Sequence, residues 1–355
     1  MQVTELNQFF EWFNENINDK NLSAEYLAFY NKLATNSRQN QTFQSFQEEK
    51  EQLFKTLKSI NFQKLTLEQI KFLQKLRIDD LLGDIGVQQI NNVLFESNID
   101  IANASERIRE FTERINNAIT KVGNLENAIT ENFEFDEKDE DEIPDNSVLM
   151  RVYFQNEVSI SNLTDFKKLS SMWYDIGRGI AMAQNMSPED FHIIGAKKGS
   201  IIIEMAVAVA LATTVSKILL EALKVADRYL DILKKVQEVK GLKLANKQIE
   251  TDLKKEALLE KENGIKSILE VAVKDLKLDA NQQGDKINAI EKSIIKLIDF
   301  TKNGGEVDFV QPNEDEEYDN AVRKEVKKLK ENISEIRLLE NRIKLLEIKI
   351  NGEKN

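Results

Sequence analysis

The chain has 355 residues, with 61 acidic against 49 basic, a net charge of −12 and no cysteine. That acidic balance argues against a nucleic-acid-binding surface, because phosphate neutralisation needs a basic face. Lack of cysteine excludes disulfides, thiolate metal sites and a cysteine nucleophile, while three prolines and thirteen glycines favour long uninterrupted helices.

The opening residues, Met1-Gln-Val-Thr-Glu-Leu-Asn7, carry no basic or apolar leader, so a cytoplasmic location is expected. Residues 1–133 are predicted as a helical domain. Thr4 and Ser23 are expected to cap two short helices, one with Phe9, Phe10, Trp12 and Phe13, the other with Tyr26, Leu27, Phe29 and Tyr30. Phe43, Phe46, Leu53, Leu57 and Ile60 mark a third helix, and Thr66 with Gln69 forms a capping-box pattern before Ile70, Leu73 and Leu76. From Ile101 the apolar positions Ala104, Ile108, Phe111, Ile115, Ala118, Val122, Leu125 and Ile129 fall three and four apart. This seam predicts a coiled-coil helix over 99–130. The mixture of Ala with Phe and Leu points to a partner helix in the same chain, with self-dimerisation left open.

Residues 134–146 read as a linker, because the run Glu134–Pro144 holds seven acidic residues that repel one another and stay solvated. Residues 147–240 carry the only firm strand signals and predict a βαββα core. Val148, Met150, Val152 and Phe154 alternate along one strand. Leu163, Phe166, Leu169, Trp173, Ile176 and Ile180 form a helical stripe capped by Ser161 or Asn162. Lys197-Lys198-Gly199 between the apolar runs 191–194 and 201–212 predicts a hairpin. The apolar run 201–216 reads equally as strand or helix. A long helix is then expected towards Glu262 with a break at Gly264, and 241–355 reads as a helical and coiled-coil region. Its last seam holds Val322, Val326, Leu329, Ile333, Ile336, Leu339, Ile343, Leu346 and Ile350. The overall expectation is a mainly α fold, helical bundle and coiled-coil arms around a small βαββ(α) core.

Chemistry-bearing patterns are sparse. His192 is the only histidine, inside an apolar strand, and reads as structural because nothing completes a metal set. Gly199-Ser200 forms no nucleophile elbow, and Lys197-Lys-Gly-Ser200 lacks the glycine spacing of a phosphate loop. Gly177-Arg-Gly179 reads as a close-packing site. No cofactor, metal or catalytic residue is expected. Glu204 stands out, since an unpaired charge inside the run Ile201–Ala212 would be costly to bury. It either faces solvent on an alternating strand, or sits in a lumen or against Lys197 or Lys198. Between Glu204 and Lys217 only twelve residues are uncharged, spanning ~18 Å as a helix against a hydrocarbon core of ~30 Å. A single-chain membrane span is excluded on that length.

The order of the Val148 strand, Leu163-Thr-Asp-Phe166 with Trp173, Pro188-Glu-Asp-Phe191 and Lys198-Gly-Ser-Ile-Ile-Ile-Glu204 resembles uncharacterised bacterial helical proteins of mobile-element or phage-defence neighbourhoods. The resemblance implies a biological context and assigns no site. The expected function is a non-enzymatic, oligomeric scaffold or partner-binding component of a bacterial defence or stress system, assembled through its seams. Its expected interaction residues are Glu204, Lys197, Lys198, Leu329, Ile333, Ile336 and Ile343. One alternative is a membrane-perturbing effector that exposes 201–220 after a conformational change. Another is a metal-dependent hydrolase.

Overall fold

The computed structural model describes residues 3–38, 42, 44–96, 100–132, 144, 146–197, 201–241, 247–279, 281–310 and 320–352. The chain forms two compact units, Met1–Asp139 and Glu140–Asn355. Their boundary falls in the expected acidic linker, most of which lies outside the described residues.

The first unit contains α1 (Val3–Phe13), α2 (Leu22–Asn36), α3 (Gln47–Lys58), α4 (Leu67–Leu76), α5 (Gly83–Glu96) and α6 (Ile101–Asn132). Its aromatic residues are core: Phe9, Phe10, Phe13, Tyr26 and Phe29 are buried together with Leu53, Leu57 and Leu73. Thr66 and Gln69 form the expected capping box. Ser23 does not cap. Asn21 precedes α2 in a left-handed conformation with no side-chain cap, and the Ser23 hydroxyl instead hydrogen-bonds Asn116 of α6. Thr4 likewise sits inside α1. The α6 seam packs on α2, with Ala104, Ile108, Phe111, Ile115, Ala118 and Val122 buried in the unit's own core. It is therefore no projecting arm, because its apolar stripe is consumed within the unit.

The second unit is built on an antiparallel sheet of order β2-β3-β1-β4, from β1 (Ser147–Phe154), β2 (Phe191–Lys197), β3 (Ile201–Ala208) and β4 (Glu306–Phe309). The helices are α7 (Leu163–Ala183), α8 (Val209–Gly241), α9 (Lys247–Asp275), α10 (Gly284–Lys302) and α11 (Asn320–Gly352). Alternation along β1 turns Val148, Met150, Val152 and Phe154 to a core shared with α7 and α10. There the Phe300 ring meets Phe154 and Trp173 edge-on, at centroid separations of 5.4 and 5.2 Å. The helices α7 and α10 touch at Gly179, where an added Cβ would lie 2.5 Å from the Ala289 carbonyl oxygen.

Three expectations change. The run 201–216 is both strand and helix: β3 ends at Ala208 and α8 starts at Val209 with no residue between, whose N–H donates to Asn146 O at 3.0 Å. Residues 241–355 are not a separate region, since β4 pairs with β1 and Leu329, Ile333 and Ile336 enter the same core as β1. A four-residue strand leaves too short an alternation to announce that pairing. Gly264 does not break α9. Its missing Cβ admits the Val225 side chain of α8, whose Cγ1 would otherwise lie 2.7 Å away.

These glycines make opposite demands. Gly179→Val should lower the urea midpoint by the ~1–3 kcal/mol typical of overpacking. Gly123→Ala, in α6 with nothing within 4 Å of an added Cβ, should raise stability by about 1 kcal/mol through helix propensity. Equal effects of one sign would refute the packing assignment.

Candidate functional site

Charge in the middle of the sheet is the first feature that packing alone does not explain. In β1 the residue between Met150 and Val152 points away from the core, and it is Arg151. Its register partners are Glu204 on β3 and Asp308 on β4. Arg151 Nε donates to Glu204 Oε1 at 2.7 Å. On β4, Asp308 accepts from Arg337 of α11, whose Nη1 donates to Glu340 Oε2 at 2.8 Å. Relative exposures are 0% for Arg151, 5% for Glu204, 1% for Asp308 and 3% for Arg337. Signs therefore alternate from β3 through β1 and β4 to α11 in a dry row. Burial works against the Arg337 charge, but Asp308 and Glu340 outweigh it and hold its pKa above the ordinary value. Gly195 lies across from Glu204 on β2, where an added Cβ would make an ordinary contact 3.4 Å from Oε2.

Glu204 is thus buried and bonded to Arg151 rather than solvent-facing. Lys197 lies opposite Ile202, not Glu204, and Lys198 is outside the described residues. Arg151 takes the role because direct register places it opposite Glu204 on the adjacent central strand. The seam residues Leu329, Ile333 and Ile336 are buried against the unit's own core, so they offer no free surface. Ile343 is half-buried, and beside it Arg342 Nε lies 2.7 Å from Asp227 of α8. His192 is exposed on β2 rather than packed.

A second feature lies on the outer side of α7. Asn162 caps this helix, accepting from the N–H groups of Thr164 and Asp165. Leu169, Ile176 and Ile180 turn into the core, but Leu163 is 86%, Phe166 47% and Tyr174 58% exposed. The expected stripe therefore runs off the core at its N-terminal end. Gly177 faces β2, with an added Cβ 3.4 Å from the Phe191 ring. Helix positions advance by about 100° per residue, which sets Leu163, Phe166 and Tyr174 within about 60° of Gly177 around the axis. They therefore share the β2 flank of α7, where Ile193 is 70% exposed. Ile193 lies opposite Met205, on the same face of β2 as Phe191, and the register shifts between it and Gly195. Lys167 and Arg178 are exposed on the same helix, whereas Asp175 is paired with Lys296. No strand pairs with the outer edge of β2 among the described residues. The composition of α7 resembles an ordinary amphipathic helix, so only the position of β2 shows which apolar residues are left outside.

Among the described residues, no group of three or more His, Asp or Glu is placed to hold a metal ion, and no helix is long and apolar enough to cross a membrane. Comparison of the chain with protein-family models, curated proteins and solved structures gives no match.

The ionic row generates a stability prediction. Removing one member leaves an unanswered charge in a dry site, at a cost of roughly 3–5 kcal/mol, whereas replacing a whole pair with apolar groups is often neutral. Arg151→Met should therefore be far more damaging than Arg151→Met combined with Glu204→Met. Chemical denaturation of the two variants checks this, and additive losses would refute the coupling.

Proposed function

We propose that this protein is a non-enzymatic scaffold that associates with further copies of itself through the apolar flank of α7 and β2. The observation that carries the reading is the exposure of Leu163, Phe166, Tyr174 and Ile193 on one flank beside the exposed cations Lys167 and Arg178. Exposed apolar residues gathered on one face, rimmed by charge, are the usual mark of an interaction surface. A chain of net charge −12 repels its own copies overall, so a basic and apolar flank is where the acidic surface of another copy is attracted. The contact is head-to-tail, since the flank and the acidic surface it meets are different patches. Assembly through the terminal seam is set aside because Leu329, Ile333 and Ile336 are spent within the unit.

The non-enzymatic part of the reading is supported by how the buried carboxylates are used. Glu204 and Asp308 each accept from a guanidinium, which occupies lone pairs that proton transfer would need. The resemblance carried by the order of segments from the Val148 strand to Lys198–Glu204 supports a bacterial defence or stress context, which is part of the proposal.

Light scattering tests the reading directly. The wild-type chain should exceed the mass of one copy at high micromolar concentration and dissociate as salt is added. Phe166→Glu with Ile193→Glu should yield single copies with unchanged melting, because neither side chain belongs to the core. A wild-type chain that stays a single copy at every concentration, or a variant that assembles like it, would refute the proposal.

A further inference from the structure

The flank of α7 and β2 is apolar and basic, and the chain holds one acidic segment with apolar residues to match it. From Phe133 the sequence reads Phe-Glu-Phe-Asp-Glu-Lys-Asp-Glu-Asp-Glu142. Seven acids stand against one lysine, a net of −6 that is half of the chain's −12. This run lies outside the described residues, but its order is informative. Phe133 and Phe135 alternate with Glu134 and Asp136, so an extended backbone sets both rings on one side and both carboxylates on the other.

Acids on the long helices are answered locally instead. Glu106 and Glu113 both meet Arg109, Glu221 lies between Lys217 and Lys224, and Glu260 meets Arg228. Charge neutralised in place attracts an outside cation weakly. On the receiving side, Lys167 and Arg178 are exposed and have no acidic partner among the described residues. Eleven positions of helix separate them, which is ~16 Å at 1.5 Å per residue. An extended segment covers that distance in about five residues at ~3.3 Å each, well within the acidic run. Phe166 and Tyr174 lie along the same stretch of α7, so apolar and cationic groups recur together on the flank as they do on the run.

We propose that the segment received by the α7 and β2 flank is residues 133–142 of a second copy. The assignment rests on the flank reading above and names the partner for it. Phe133 and Phe135 supply aromatic anchors for the apolar surface, and the carboxylates beside them form charge-assisted hydrogen bonds with Lys167 and Arg178. The flank belongs to the second unit and the run joins the two units. Each copy therefore offers both halves of the contact, on different parts of the chain, and the resulting assembly is head-to-tail.

Fluorescence anisotropy of a labelled peptide of residues 131–144, titrated with the full chain, tests this. The peptide should bind saturably. Phe133→Ser with Phe135→Ser in the peptide keeps every charge and should weaken binding by about tenfold or more. Lys167→Glu with Arg178→Glu in the full chain, both exposed positions, should weaken it by a similar factor. Placed in the full chain, Phe133→Ser with Phe135→Ser should lower the mass seen by light scattering to that of one copy, with unchanged melting. A peptide that does not bind, or that binds equally without its aromatic pair or without the flank cations, overturns the assignment. So does a full-chain linker variant that melts lower, since its rings then belong to the fold. If that variant assembles like wild type while Phe166→Glu with Ile193→Glu gives single copies, the flank reading stands and only its partner is wrong. A wild-type chain that stays a single copy overturns the flank reading itself.

Discussion

A guanidinium in the dry centre of a sheet has to be answered on every side, and Arg151 imposes that requirement on the second unit. Its exposure of 0% removes water as a partner, so the neighbouring strands must supply the charge. Register then stops being free. A slip of β3 or β4 by one residue would turn Glu204 or Asp308 to the opposite face and leave Arg151 unanswered. The same condition ties remote parts of the chain together: Arg337 on α11 serves Asp308 on β4, which sits opposite Arg151 on β1. The hydrophobic face alone is built of interchangeable aliphatics and would tolerate several pairings. The ionic row selects one of them, at the desolvation cost such rows carry.

Much of this architecture was legible from residue spacing, and the losses have identifiable causes. The α6 seam, the Thr66 capping box, β1 and the core face of α7 follow from short-range periodicity. That signal persists because each element is long or has a defined cap. The pairing of β4 with β1 was hidden because four residues give too little alternation to specify a partner strand. Gly264 was misread as a breaker because propensity ranks glycine low in helices, whereas Val225 of α8 occupies the space a Cβ would take. Glu204 was recognised as anomalous, but Arg151 was not recognised as a partner. Arg151, more than fifty positions earlier, lies opposite it only through strand register. The outward flank of α7 had no signature at all, because Leu163 and Phe166 continue the same apolar stripe as Leu169 and Trp173. What separates them is where the sheet ends.

α8 acts as the spine on which the other long helices are set. It begins directly from β3, so the sheet fixes its direction without a loop to soften the join. Its contacts sort by angle around the axis: Val225 and Arg228 meet α9, while Lys224 and Asp227 meet α11. Two helices held on different flanks of a third leave a groove over the strip between them, and the polar residues Thr213 and Thr214 lie along it. Hydroxyls there hydrogen-bond the carbonyls of the preceding turn, and that of Thr213 also lies 3.3 Å from the Glu325 carbonyl of α11. The cleft therefore follows from helix placement and needs no distortion of α8.

Edge strands expose backbone groups that invite further pairing, and proteins blunt them with charge, bulges or short length. The two edges of this sheet are treated differently. β4 is short, and its two acids alternate with Val307 and Phe309, which face the core. β2 is longer, carries one lysine, and is interrupted by the irregularity at Ile193 and Gly195. An interruption at mid-strand breaks the even spacing of donors and acceptors that a continuous ladder would need. An edge of this kind disfavours extension of the sheet while presenting side chains for docking. Recognition there rests on shape, apolar area and the adjoining cations, which makes it more selective than backbone pairing open to any extended segment.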